Sequence, residues 1–213
     1  MRAVAGVQLR YKTGLTSEEY VSREAWREAT LERCPLHPRG DCGFARHGTY
    51  ERMHPPGAHV ARWRCPQGHC TFSLLPDCLA ARLPDALVEL EAVVTIVEQA
   101  PSLEAAADIA RPDDVELAGA LRWLRRRRDA VHANLLTLKG LFPERFAACP
   151  ATVAGFRRRL GTECALEALR EVAAPHLHAL APPLGFSPLS HDGGDRVRRF
   201  QHRTGPDPPG RPR

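Results

Sequence analysis

The chain has 213 residues, long for one domain and short for two full ones, so a small module joined to a medium one fits best. Hydrophobic residues make up 43% and charged residues 26%, which excludes a wholly disordered chain. A net charge of +5 and a pI near 9.0 permit a polyanionic partner without demanding one.

Lys12 and Lys139 are the only lysines, so arginine carries the positive charge. Arginine forks pair bidentately with phosphate and with guanine edges. A GC-rich coding bias, visible in the abundant Ala, Pro, Gly and Arg, is the competing explanation. The N-terminal stretch MRAVAGVQLRYKTG lacks the apolar region of a signal peptide. No apolar run approaches the ~18 residues of a membrane-spanning helix. A soluble, cytoplasmic protein is the expectation, with no membrane partner. In such a reducing compartment, cysteines point to metal or free thiols rather than disulfides.

Residues 1–15 read as loose or extended. Thr16 and Glu19 then form a capping-box pattern, which predicts a helix from Ser17 to about Leu31 with Tyr20, Val21, Ala25 and Ala29 as its apolar stripe. Residues 34–76 are punctuated by Pro, Gly, Cys and His. His59 to Arg64 alternates apolar and polar residues, with Val60 and Trp63 as strand anchors. This is a small β module that burial alone would not fold.

Helical patterns follow. The first runs from Pro84 to Gln99, and Pro101 breaks it. A short helix spans Leu103–Ala110. A long one runs from about Asp113 to Lys139, with Leu117, Leu121, Leu124, Val131, Leu135 and Leu138 along one side. Two more span Ala151–Arg159 and Glu163–Leu180. From Ser187 the chain is Gly, Pro, Arg and Asp, which predicts a disordered basic tail. The expected fold is α+β. Its parts are an arm and helix over 1–33, a ribbon over 34–76, a helical domain over 77–186 and a tail over 187–213.

Two tight turns could supply a tetrahedral zinc site, one around Cys34 and Cys42, the other over Cys65, Pro66, Gln67, Gly68, His69 and Cys70. The expected ligands are Cys34, Cys42, Cys65 and one of His69 or Cys70, with His37 inside the first, wide turn as a further candidate. Cys78, Cys149 and Cys164 sit in apolar helical contexts and read as core residues. No HExxH or HxE…CxxC pattern is present, so the zinc should be structural and the chain not an enzyme.

The long helix carries Arg122, Arg125, Arg126, Arg127 and Arg128. Arg122, Arg125 and Arg126 are expected on one face. Arg127 is expected off to the other side, and Arg128 within the apolar stripe. With the short helix before it, the segment at about 102–139 has the outline of a helix-turn-helix. Arg122, Arg125, Arg126 and Arg127 are the expected DNA contacts. A plain solvated face is the alternative. The connecting Arg111-Pro112-Asp113-Asp114 lacks the usual turn glycine, and its aspartates would repel phosphate.

The Cys34-Pro35 and Cys42-Gly43 turns, Arg46-His47-Gly48-Thr49-Tyr50, Arg62-Trp63-Arg64-Cys65-Pro66 and Thr71-Phe72-Ser73-Leu74-Leu75-Pro76 together resemble the zinc-ribbon proteins related to bacterial insertion-sequence transposases. In those a ribbon precedes a helix-turn-helix. The resemblance covers about residues 34–140. It implies double-stranded DNA binding, Cys34, Cys42 and Cys65 as ligands, and a transposase or recombinase as partner. The first turn is wider than the family's Cys-x-x-Cys, and the second reads Gly-His-Cys. Helical patterns after residue 76 leave no room for the acidic catalytic core of a transposase. The expected role is therefore accessory or regulatory. The competing role is a zinc-stabilised protein-interaction module that does not bind DNA.

Overall fold

The computed structural model describes residues 5–110 and 116–186. The connecting turn at 111–114, the start of the long helix at Asp113 and the basic tail over 187–213 lie outside the described residues. The architecture is α+β: a mixed four-stranded sheet, then a mainly helical region. No helix among the described residues is long and apolar enough to cross a membrane.

The sheet contains β1 (Ala5–Tyr11), β2 (Ala45–Glu51), β3 (His59–Cys65) and β4 (Cys70–Pro76), in the order β1-β4-β3-β2. The three later strands form an antiparallel meander. β1, in a stretch expected to be loose or extended, adds to its far edge in parallel with β4, Gln8 opposite Ser73 and Leu9 opposite Leu74. Val7, Leu9 and Tyr11 alternate toward the core. The ribbon is thus not a separate unit, since 5–79 shares one core.

The helix α1 (Ser17–Ser22) starts on the expected capping box. Thr16 accepts from the Glu19 amide at 3.2 Å, and Glu19 accepts from the Thr16 amide at 3.0 Å. It stops well short of Leu31, because Glu24 adopts a left-handed φ of 49° and a 3-10 turn follows over Ala25–Arg27. That break lets Trp26 fold back under the sheet. Tyr20 and Trp26 are buried there, and the Tyr20 hydroxyl donates to the His59 carbonyl at 2.8 Å.

The helices that follow are α2 (Leu87–Gln99), α3 (Leu103–Ala110), α4 (Leu117–Leu141), α5 (Pro143–Phe146), α6 (Val153–Leu160) and α7 (Ala165–Val172). Leu87, Leu90 and Val94 of α2 pack on Val131, Leu135 and Leu138 of α4, with Phe156 and Leu169 closing the core. A smaller cluster joins α3 to the first half of α4 through Ala106, Ala107, Ala120 and Leu124.

Two carboxylates of α2, two helical turns apart, cap its neighbours. Glu91 is fully buried and accepts from the amides of Ala165 (2.9 Å) and Leu166 (2.7 Å) at the start of α7. It also accepts from Arg157 Nε at 2.6 Å. Glu98 accepts from the Val153 amide at 3.0 Å and pairs with His132 at 2.8 Å. Negative charge at a helix N-terminus meets unpaired amides, and the macrodipole favours it. Both are committed to architecture.

The sheet and the helices meet at Arg170, whose guanidinium reaches carbonyls of the segment after β4 and of the chain near Leu184. Arg52, after β2, donates to the carbonyls of Ala80 and Leu83.

Candidate functional site

Between α1 and β2 the chain makes an open loop that folds back on the β3–β4 turn. Cys34, His37 and Cys42 come from the loop, and Cys65 ends β3. Their ligand atoms all lie within 4.8 Å of one another. Cys34, Cys42 and Cys65 are buried, and His37 is half-buried. His37 Nδ1 stands 3.6 Å from Cys34 Sγ and 3.3 Å from Cys65 Sγ.

These lengths fit a tetrahedral ion. Metal–sulfur bonds of about 2.3 Å and metal–nitrogen bonds of about 2.0 Å place sulfur and nitrogen about 3.5 Å apart. Each of the three sulfurs also takes backbone amides: Leu36 and His37 donate to Cys34, Phe44 to Cys42, and Gly68 to Cys65 at 3.2 Å. Such bonds favour thiolate, the form that binds metal.

Burial pushes the Cys34 thiol up, but the His37 side chain and the two amides overcome it and draw the group down to about 7. Cys42 is pushed up, by burial and then by its neighbours Cys34 and Cys65. Three thiolates beside one another repel, and a divalent cation resolves that repulsion. The four residues are compatible with a metal site.

The turn between β3 and β4 is as short as the site requires. A Cβ on Gly68 would lie 2.6 Å from Leu36 Cδ1, 3.2 Å from Cys65 Sγ and 3.5 Å from His37 Cε1. Only glycine lets the turn close this tightly on the ligands.

His37, rather than His69 or Cys70, completes the cluster. Cys70 is the direct cross-strand partner of Cys65, yet it lies outside the group, and its thiol leans toward the Thr71 carbonyl at 3.9 Å. Burial raises it, as expected of a neutral core thiol. His69 adopts a left-handed φ of 46° and its side chain is exposed. The expected knuckle spacing ranked His37 only as a further candidate, because the first turn is Cys-x-x-His and not Cys-x-x-Cys. Among the remaining cysteines, Cys78 and Cys149 are buried and Cys164 half-buried, as core residues would be.

The long helix divides its arginines differently from expectation. Arg122, Arg125 and Arg126 are exposed, without an ion pair among the described residues. Arg127 is a correction. It is 2% exposed, donates to both oxygens of Asp85 at 2.8 and 2.9 Å, and lies over the Trp123 ring at 4.1 Å. At 100° per residue it falls about 20° from Ala120, on the face that packs on α2 and α3, so it cannot reach DNA. Arg128, expected in the apolar stripe, is half-exposed and pairs with Asp129 at 2.8 Å.

No family model, curated protein or solved structure matches the chain. These comparisons link the chain to no family.

Proposed function

We propose that the chain is a DNA-binding protein stabilised by one structural zinc ion. Cys34, His37, Cys42 and Cys65 are its ligands, and Arg122, Arg125 and Arg126 its phosphate contacts. Four protein donors fill a tetrahedral shell and leave no position for substrate, which favours a structural ion over a catalytic one. The ion would hold the loop over 34–42 against the end of β3.

The observation that carries the DNA half is the state of the three arginines. They lie within about 6 Å along one helix, exposed and without a carboxylate among the described residues. Arg23 pairs with Glu19 and Arg27 with Glu24. Arg33, Arg39, Arg64 and Arg158 are also exposed without an ion pair among the described residues, so it is the close spacing on one helix that sets Arg122, Arg125 and Arg126 apart. Unpaired guanidiniums at such spacing suit successive phosphates of a backbone. The motif resemblance over 34–140 adds the ends of a mobile element as the target, and a transposase or recombinase as the partner.

Binding of the zinc-loaded protein to random duplex DNA across a salt series tests the reading. Affinity is expected to fall steeply as salt rises. No retention at low salt would remove the DNA half and leave a zinc-stabilised protein-interaction module.

A further inference from the structure

The outer face of the sheet carries a groove that neither the metal cluster nor α4 touches. Gln8, Ser73 and Arg62 form one row across β1, β4 and β3, each directly registered with the next. Adjacent strands lie about 4.8 Å apart, so the row spans roughly 10 Å. Gly6 and Thr71 form the next row. A Cβ on Gly6 would meet nothing within 4 Å, so the missing side chain opens the floor. Tyr50 and Arg82 close the sides, and the hollow holds about 330 Å³, the small end of ligand-sized pockets.

Its polar groups are not satisfied from within. Gln8 is 9% exposed, and its amide oxygen has no hydrogen-bond partner among the described residues. Nor does the buried Nε of Arg62. Buried polar atoms are almost always paired, and an orphan is costly. Two orphans of opposite kind line one groove. Around them are two guanidiniums and the Thr71 and Ser73 hydroxyls. Arg62 is held in place by the Tyr50 ring at 5.6 Å and the Thr49 carbonyl at 3.4 Å. Arg82 is anchored on the Gly6 carbonyl at 2.8 Å.

The geometry points to a binding site for a small hydroxylated phosphate monoester, of sugar-phosphate type. Two guanidiniums across one groove match the charge of about −1.5 to −2 of a phosphate monoester better than a single carboxylate. Its three acceptor oxygens meet the guanidiniums of Arg62 and Arg82 and the two hydroxyls. The Gln8 oxygen needs a donor, and a rotation of its side chain at the groove floor brings it to a ligand hydroxyl beside the phosphate. The sugar–phosphate backbone of duplex DNA offers no such donor, so this site is distinct from the DNA contacts proposed for α4 and independent of them.

The test is calorimetric titration of the full zinc-loaded chain with ribose 5-phosphate and, separately, with ribose. Ribose 5-phosphate is expected to bind and ribose not. Arg62→Ala should weaken binding about tenfold or more. Gly6→Val should abolish it by filling the floor, with melting unchanged because the space is open. Gln8→Leu should weaken binding while raising the melting temperature, since it removes an unpaired amide. Absence of heat with ribose 5-phosphate at millimolar concentration overturns the site, as does Gly6→Val binding like the parent. Unchanged duplex-DNA affinity in Gly6→Val keeps this result separate from that of α4.

Discussion

Arg127 and Asp85 form a buried ion pair that fastens α4 to the turn leading into α2, with Arg127 Nη2 at 2.8 and 2.9 Å from the two carboxylate oxygens. Asp85 is itself buried, and its carbonyl accepts from the Ala80 amide at 3.0 Å. The pair thus connects the long helix to the segment just after the sheet. It also sets one structural arginine, Arg127, apart from three exposed ones and from Arg128, which pairs with Asp129.

That separation has a measurable consequence. Arg127→Ala leaves a buried carboxylate unpaired and removes the guanidinium stacked on Trp123, a loss of about 3–5 kcal/mol. The folded fraction should bind DNA as the parent does. Arg122, Arg125 and Arg126 changed together to Ala should keep the melting temperature close to the parent's. The slope of log affinity against log salt should become shallower by about 3, one phosphate contact for each arginine. Thermal melts and a salt titration of both variants decide it. An unchanged slope in the triple variant would remove α4 from the interface.

The metal centre makes a sharper distinction among neighbouring residues. Cys34→Ser, His37→Ala and Cys65→Ser should each lose bound zinc and loosen the loop over 34–42, because a structural site loses its shell with any one ligand. Cys70→Ala and His69→Ala should retain about one equivalent. Metal analysis of the purified variants reads this directly. Zinc lost from Cys70→Ala but kept in His37→Ala would reverse the ligand assignment. A strong chelator should release the ion from the parent protein and lower its melting temperature.

Gly68 offers a test of the same site without touching a ligand. Leu36 is exposed and can swing away from an added Cβ, but Cys65 Sγ, 3.2 Å from that Cβ, would be held in place by the proposed ion. Gly68→Ala should therefore weaken zinc about tenfold, the lower end of what disturbing the supporting groups of a metal site costs. Competition with a chromogenic chelator measures it, and an affinity equal to the parent's would show that the turn has slack.

Features set by short-range chemistry could be read from the sequence. The Thr16–Glu19 box and the boundaries of α3 follow from neighbours a few residues apart, and the grouping of Cys34, Cys42 and Cys65 from Pro- and Gly-flanked cysteines that mark two turns. Features set by distant partners could not. β1 is a strand because β4, some 65 residues later, offers it an edge. The alternation of Val7, Leu9 and Tyr11 hinted at it, but a short run of alternation is weak without its partner. The break at Glu24 is imposed by the packing of Trp26 under the sheet, which no local propensity encodes. Arg127 was misplaced because an arginine run suggests solvent, although its angular position beside Ala120 and Val131 puts it on the packed face. His37 was outranked by a spacing rule that this loop does not follow.

Arg170 gives the last and most severe prediction. It is fully buried, and its guanidinium donates to five carbonyls: Leu184 at 3.1 Å, Pro76 at 3.4 Å, Asp77 at 2.8 Å, Leu79 at 2.6 Å and Pro183 at 2.5 Å. Burial draws its pKa down to about 10, with Asp77 opposing, so the group keeps its proton at neutral pH. A guanidinium spreads five donors over a plane, whereas an ammonium concentrates three at one point. Arg170→Lys preserves the charge but cannot reach both the segment after β4 and the chain at 183–184. The carbonyls left unpaired should cost about 3–5 kcal/mol, which lowers melting by roughly 6–20 °C for a chain of this size. Proteolysis should then begin near Leu184, where the tether is lost. A melting temperature within a degree or two of the parent would mean that the junction between sheet and helices is held by its apolar contacts and not by this arginine.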